Sequence, residues 1–267
     1  MVKSDSIIEV FDRTASNFGG ARTAYFNFFG DALVKLANIE KGQRVLDVGT
    51  GRGAVLLPSL KAVGPQGKVV GIDPSSKMLE NLLSDIRSAK LNNCSLILMK
   101  GEEINSSLGL FDRIFFGFSI FFMRNATAVL QETKNLLKPK GKVLLSLWGQ
   151  KPPLTSWVVD QVKELTGDQS GLALSAFKDA SAVVETLRSC GFKAIKQKKV
   201  SQEFEYSSHE AWWESLWDHG TRAYMERLSV IELDALKNLF IKKANAISKD
   251  TGKFVESFEA MLFSAEN

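Results

Sequence analysis

An α/β fold built on a doubly wound, mostly parallel sheet is predicted by two stretches and the spacing between them. The first is Arg44-Val45-Leu46-Asp47-Val48-Gly49-Thr50-Gly51-Arg52-Gly53, an apolar run that breaks into three alternating glycines and continues as Ala54-Val55-Leu56-Leu57. A short run rich in valine and leucine suits a buried parallel strand, and Gly-x-Gly-x-Gly lets the backbone turn tightly and approach a ligand. The second is Lys68-Val69-Val70-Gly71-Ile72-Asp73, whose closing acid falls 20 residues after Gly53. In a doubly wound sheet that position holds the acid that binds two ribose hydroxyls.

The flanking segments alternate helix and strand. Residues 4–18 place Ile7, Ile8, Val10 and Phe11 at helical spacing and stop at Asn17-Phe18-Gly19-Gly20. Tyr25-Phe26-Asn27-Phe28-Phe29-Gly30 is too aromatic for a free surface segment; it either packs on the sheet or roofs a ligand, and helix continues over 31–39. After the glycine loop, 54–63 reads as a crossover helix ended by Gly64-Pro65-Gln66-Gly67, and 74–89 as a second with Ser75 as its cap. Strands are predicted at 95–100, 111–122 and 143–148, with a helix at 125–137 and a Lys138-Pro139-Lys140-Gly141-Lys142 turn before the last of them. Beyond residue 150 the pattern changes. Helices are predicted at 155–165 and 178–190, the latter ended by Gly191, and the alternating lysines of 192–200 suit an edge strand protected against pairing with other chains. Ser208 can cap a helix on which Trp213 and Trp217, four apart, share a face. Helices at 222–226 and 229–249 and a strand at 254–263 complete the chain.

Glycine loops serve phosphate-binding and dinucleotide-binding turns alike, so the neighbouring residues must narrow the ligand. Asp47 stands two residues before the first glycine, where a carboxylate favours a cationic or amine-bearing ligand over a pyrophosphate. No Gly-Lys-Ser/Thr follows, which excludes a Walker-type phosphate loop. Asp47 and Asp73 together imply an adenosine-containing ligand with a positive charge. Val45 to Gly53, followed by Gly71-Ile72-Asp73-Pro74-Ser75, resembles motifs I and II of the class I S-adenosylmethionine-dependent methyltransferases; the alternative is a degenerate Rossmann loop that binds NAD or no ligand.

The resemblance implies a Rossmann-like sheet of seven strands, the last antiparallel, with helical lid insertions. It divides the chain into an N-terminal helical lid segment at 1–40, a cofactor-binding core at 41–150, and a 151–267 segment that completes the sheet and carries a substrate lid at 154–166 and 207–250. The implied cofactor is S-adenosyl-L-methionine, leaving S-adenosyl-L-homocysteine as product. The residues carried over as its site are Asp47, Gly49, Thr50, Gly51 and Gly53 of the loop, then Asp73, Pro74 and Met78, then Gly101, Glu102 and Glu103 after the third strand, with Gly117 and Phe118 in the fourth. Glu102 stands where the family commonly has the aspartate of a Gly-Asp-Ala sequence.

Acceptor chemistry is read from the end of the fourth strand. Relatives that methylate exocyclic or amide nitrogens often carry Asn or Asp, two prolines and an aromatic there; this chain has Gly117-Phe118-Ser119, then Phe121 and Phe122. An apolar wall replaces an acceptor cluster. A small, largely apolar or aromatic acceptor follows, with Tyr25, Phe28, Phe29, Phe121, Phe122, Trp148, Trp213 and Trp217 as candidate pocket residues. The two C-terminal tryptophans fit core packing as well as a pocket. Methyl transfer is an in-line displacement that needs a base only if the acceptor keeps a proton; His219 is the candidate base, with a capping role as the alternative and Glu214 or Tyr25 as substitutes. No Asp/Asp-Asn set of a magnesium-dependent site follows the fourth strand, so no metal is expected.

Composition agrees with an ordinary folded protein: 45% of the 267 residues are hydrophobic and 24% charged. Thirty-four basic against 30 acidic residues is a mild excess, the sole support for a nucleic-acid methyltransferase as the competing reading, beside a non-catalytic cofactor-binding module. Cys94 and Cys190 lie far apart without metal-ligand spacing. With no apolar signal stretch and no run long enough to span a bilayer, a cytoplasmic monomer or homodimer is expected.

Overall fold

A computed structural model describes residues 4–150, 152–171, 177 and 179–267. The expected helix at 178–190 begins partly outside these residues; its described part is Ala180–Ser189. Two compact units emerge, one of residues 26–148, 173–200 and 260–267, the other of residues 1–25, 149–172 and 201–259. The division at 148/149 falls beside the expected boundary at 150, whereas the first division comes at 25/26 and not at 40, because residues 26–40 stay with the sheet while the residues before them group with the helices of the C-terminal half.

The sheet unit carries the glycine loop. Its strands are β1 (Arg44–Val48), β2 (Lys68–Asp73), β3 (Cys94–Leu98), β4 (Phe111–Gly117) and β5 (Leu137–Trp148), joined by parts of β6 (Lys193–Tyr206) and β7 (Phe254–Glu266), whose residues 201–206 and 254–259 are counted with the other unit. They form a seven-stranded sheet in the order β3-β2-β1-β4-β5-β7-β6. β1 to β5 pair in parallel, and β7 runs antiparallel to β5 with Trp148 opposite Ala260. The fold expectation is met. β6 stands at the edge, and its lysines at 193, 196, 198 and 199 are exposed or half-exposed along it.

Local chemistry explains the helix starts. Ser75 Oγ accepts from the Met78 amide at the head of α4 (Ser76–Ser88), Asn125 does the same for α5 (Ala126–Asn135), and Asp179 for α7 (Ala180–Ser189). The helix α2 (Tyr25–Ala37) ends on an arginine borrowed from the sheet: Arg113 of β4, itself buried, donates to the carbonyls of Ala37 and Asn38 at 2.9 and 3.1 Å. Burial pulls the Arg113 pKa down, and the neighbouring Asp112 opposes the shift. The helix α3 (Leu56–Val63) begins later than expected, because residues 51–55 are spent in turns.

Two expectations are corrected. The fourth strand stops at Gly117 instead of running to Phe122, since Phe118 takes a left-handed conformation (φ 53°) and Ile120–Phe122 form a 3₁₀ turn. The Lys138-to-Lys142 turn lies inside β5 as a bulge: Phe111 pairs with Leu137, but Arg113 pairs with Lys142.

The helical unit is built from α1 (Ser4–Thr14), α6 (Pro153–Thr166), α8 (His209–Ser215), α9 (Arg222–Met225) and α10 (Val230–Thr251). Leu154, Val158, Trp212, Trp213, Met225 and Phe240 form its core. Glu256 is buried within it, accepting from the Thr155 amide, the Thr155 hydroxyl and the Trp212 indole at 2.8, 2.8 and 3.0 Å. Its carboxylate thereby sits at the positive end of α6, although burial still raises its pKa. Arg22 grips the buried Asp218 through two hydrogen bonds, and Arg13 and Arg222 converge on Glu226.

Gly30 of α2 gives a test of the sheet unit. A Cβ added there would lie 2.2 Å from the carbonyl oxygen of Ala54, just past the glycine loop. Glycine inside a helix ordinarily costs about 0.5–1 kcal/mol relative to alanine. Here the clash with backbone reverses that sign, so Gly30→Ala is expected to destabilise by about 1–3 kcal/mol. A thermal melt reads it directly; a raised midpoint would refute the close seating of α2 on the loop.

Candidate active site

β1 delivers Asp47 into the sheet interior, then turns at Gly49. Gly49, Gly51 and Gly53 all have positive φ, at 74°, 50° and 85°. The amides of Gly49 and Thr50 donate to the carbonyl of Ile72 at 2.8 and 2.9 Å, folding the loop onto the end of β2. A Cβ on Gly49 would come within 2.5 Å of Ser119 Cβ, and one on Gly53 within 2.7 Å of Leu82 Cδ1. The loop is thus pressed between the end of β4 and α4, with room only for glycine at both points.

Two carboxylates flank it. Asp73, at the end of β2, accepts the amide of Gly51 on one oxygen at 2.8 Å and that of Ser75 on the other at 2.9 Å. Asp47 is 1% exposed; its Oδ2 accepts from the Thr50 hydroxyl at 2.7 Å, and its Oδ1 has no hydrogen-bond partner. Burial pushes the Asp47 pKa up to about 7; the Thr50 hydrogen bond works against this and the charge of Asp73 adds to it.

The far side is supplied by β4 and β5. A Cβ on Gly117 would lie 2.7 Å from Val55 Cγ2, so the strand end touches the loop. The Phe118 amide donates to Ser146 Oγ at 2.9 Å, and Ser119 Oγ donates to the carbonyl of Val48 at 2.5 Å. The Phe118 ring stacks on Trp148 with centroids 4.1 Å apart and meets Phe26 and Phe29 edge-on. β2 and β3 lie on one side of β1, β4 and β5 on the other. The carboxyl end of β1 is therefore the switch point where open α/β sheets bind ligands.

The remaining expected cofactor residues hold varied positions. Pro74 is half-buried, and Met78 is buried on the inner face of α4 with Leu82 and Ile86. Gly101 is sealed under Met123, whose Cε would lie 2.2 Å from an added Cβ. Glu102 is exposed, accepts from the Arg124 amide at 3.0 Å and borders a groove with Asn105, Asn125 and Glu132. Glu103 is exposed and caps its own turn through the Lys100 amide.

The expected pocket aromatics separate. Phe29, Phe118 and Trp148 cluster in the sheet unit; Phe28 is 37% exposed and meets Phe29 edge-on. Phe121 and Phe122 tilt against each other on the 3₁₀ turn, with Phe121 packed on the sheet-unit core. Phe26 was missed by sequence reasoning, although it lies in the aromatic run that drew attention to its neighbours. In the helical unit, Tyr25 is buried and stacked on Phe258. Trp213 belongs to the core there, edge-on to Phe240. The helix expected to carry both Trp213 and Trp217 is shorter: α8 stops at Ser215, where hydrogen bonds tighten to i−3, and Trp217 follows in the turn under the Arg222 guanidinium, still packed against the core that holds Trp213.

His219 is half-buried, with Nδ1 3.2 Å from the Thr221 hydroxyl and its ring edge-on to Tyr25. Burial lowers its pKa to about 4 against the opposing charge of Asp218. The imidazole is neutral at pH 7 and a weak base, which fits a packed hydrogen-bonding group better than the expected general base. Among the described residues no group of three or more His, Cys, Asp or Glu side chains is placed to hold a metal, and no helix is long and apolar enough to cross a membrane.

Comparison with known proteins decides the family. The model of a methyltransferase domain matches residues 39–208, and a nocamycin O-methyltransferase from Saccharothrix syringae is 30% identical over 232 residues, covering 81% of this chain and 83% of its own. The chain belongs to the class I methyltransferases. An aklanonic acid methyltransferase, DauC, from Streptomyces sp. (strain C5) is 28% identical over 205 residues, covering 72% of this chain and 93% of its own. For this methyltransferase the fold is matched by the YcgJ protein of Bacillus subtilis, with a TM-score of 0.59, 17% identity and coverage of 90% and 98% of the two chains. The cofactor of the methyltransferase is S-adenosylmethionine. The donor set suits it: an enclosed carboxylate oxygen with no partner needs a cation, and the sulfonium cofactor brings one.

Two measurements test this geometry. Gly49→Ala is expected to cost about 2–4 kcal/mol of stability, from strained φ and overlap with Ser119 together; an unchanged melting midpoint would contradict the packing of the loop. Because the folded pKa of Asp47 lies above its unfolded value, its contribution to stability is complete at acid pH and is lost as pH rises through about 7. Between about pH 4 and 7 the ligand-free protein should lose thermal stability relative to Asp47→Asn, and the two should run parallel above that; parallel curves across the whole range would contradict the buried acid.

Proposed function

We propose that this methyltransferase moves the methyl group of S-adenosylmethionine to a small, largely apolar or aromatic acceptor, with the glycine loop and its two carboxylates holding the donor. The observation that carries the reading is the sealed, unpartnered Oδ1 of Asp47 beside a loop at the sheet's switch point. Asp73, fixed by two backbone amides, is oriented for the ribose hydroxyls. Gly49, Thr50, Gly51 and Gly53 let the backbone approach the donor; Pro74, Met78, Gly101, Glu102 and Glu103 are assigned to its adenine end, and Gly117 and Phe118 to the end that carries the methyl group.

The bound sulfonium supplies an activated methyl group. The protein's part is to align the acceptor and keep water away. The cluster of Phe26, Phe29, Phe118 and Trp148 provides apolar surface next to the loop and supports an apolar acceptor. The names of the two relatives, a nocamycin O-methyltransferase and an aklanonic acid methyltransferase, support a small molecule over a nucleic acid. Two free cysteines are in keeping with a reducing, cytoplasmic setting, where we place the enzyme as a monomer or homodimer.

Calorimetry with S-adenosylmethionine is the first test, and dissociation constants of about 1 μM to 1 mM are expected. Asp73→Ala should weaken binding about 10- to 100-fold, the worth of hydrogen bonds to a charged group. Incubation with a panel of phenols, quinones, indoles and carboxylates, read by mass spectrometry, should show methyl gain on an apolar ring compound. Absence of cofactor binding would refute the reading; methylation confined to RNA or DNA would replace the acceptor.

A further inference from the structure

We propose that Asp47 holds a proton in the free protein and surrenders it when the positively charged methyl donor binds, so that the site selects its donor by charge. The proposal rests on the cofactor reading above. It concerns a group that the transfer step itself does not use.

Asp47 and Asp73 stand on neighbouring strands, Asp47 in register with Gly71, two residues before Asp73. Two carboxylates across one loop resist double ionisation, and the better-solvated one keeps the charge. Asp73 is that one, because the amides of Gly51 and Ser75 each donate to it. Asp47 has the Thr50 hydroxyl on one oxygen and nothing on the other, at 1% exposure.

The surroundings offer no positive charge in exchange. β2 presents Asp73, β4 sets Phe115 in register with Asp47, and α3 contributes only the Leu56 amide. The one cation of the loop, Arg52, is engaged by Asp85 at 2.6 Å. Asp73 is the only charge acting on Asp47 among the described residues, and it is repulsive. The unliganded site is therefore kept neutral at Asp47 by a proton, and burial places that ionisation at about 7. When a cationic ligand takes up its position, the O–H bond of the Asp47 carboxyl breaks, the carboxylate remains in the site and the proton passes to solvent. One positive charge enters as another leaves, so burial of an uncompensated charge is avoided in both states.

Proton inventory by calorimetry tests this. Binding of S-adenosylmethionine to the full chain is measured at pH 6.5 in two buffers of very different protonation enthalpy. Release of about 0.5–1 proton per ligand is expected, falling as the pH is raised to 8. The uncharged analogue 5′-methylthioadenosine should release none, and Asp47→Asn should abolish release. If that variant binds too weakly to measure, carboxyl ¹³C spectra of the wild-type protein serve instead: one aspartate titrating near 7 without ligand should move below about 5 with it. Donor binding without proton release at pH 6.5, or equal release with methylthioadenosine, overturns the proposal and leaves the cofactor reading standing. Failure of S-adenosylmethionine to bind at any pH overturns both.

Discussion

The sheet unit depends on how closely the glycine loop is packed. Between Asp47 and Leu56 the chain must reverse from strand to helix while touching the end of β2, the end of β4 and the inner face of α4. Gly49 lies against Ser119 and Gly53 against Leu82, each too close for a side chain. That closeness dictates what the neighbours do. β4 cannot continue straight past Gly117, because Ser119 must turn back to donate to the Val48 carbonyl. Phe118 therefore adopts a left-handed backbone, a cost of roughly 1–2 kcal/mol for a non-glycine residue. Stacking on Trp148 and the hydrogen bond from the Phe118 amide to Ser146 Oγ offset it. The apolar wall beside the loop is thus a consequence of the loop's own packing.

This coupling marks the limit of what the sequence makes legible. The alternating glycines, the acid at Asp73 and the cap at Ser75 are local signals, and each appears where its spacing places it. The run from Ile114 to Phe122 is apolar on both sides of Gly117, interrupted only by Ser119, and reads on as strand; the break comes from the contact of Ser119 with Val48, 71 residues away. The bulge at Lys138 to Gly141 is legible as turn chemistry but not as an interruption within a strand, since the pairing of Phe111 with Leu137 beyond it is a tertiary fact.

The helical unit hides its logic for the same reason. Tryptophans four apart read as one helical face, yet α8 ends before Trp217. The following residues are claimed by Asp218, which is buried under Arg22, 196 residues earlier in the chain. Glu256 likewise looks like a surface residue of an alternating strand. Its burial is tolerable only because Thr155 and the Trp212 indole converge on it from distant positions. Pairing information of this kind is absent from any single window, and that is why residues 1–25 join the helical unit despite preceding the sheet in the chain.

Asp47 and Asp73 show how the same residue type acquires two chemistries from backbone placement alone. Both follow a run of valine and isoleucine or leucine, both reach the carboxyl end of a parallel strand, and they lie on adjacent strands. Asp73 is the last residue of its strand, so the Ser75 amide of the succeeding turn is free of ladder bonds and donates to one of its oxygens, while the Gly51 amide of the glycine loop donates to the other. Asp47 is one residue short of its strand's end; the amides of Gly49 and Thr50 are already committed to the carbonyl of Ile72, and what reaches Asp47 is the Thr50 hydroxyl and the Leu56 amide at the head of α3, with Oδ1 left over. One position along the strand separates a carboxylate stabilised as an anion from an acid that burial holds near neutrality. The first is equipped to receive hydroxyl donors whatever the state of the site. The second is stable as a charge only with a cation beside it, and this condition makes the site specific for a donor that carries positive charge.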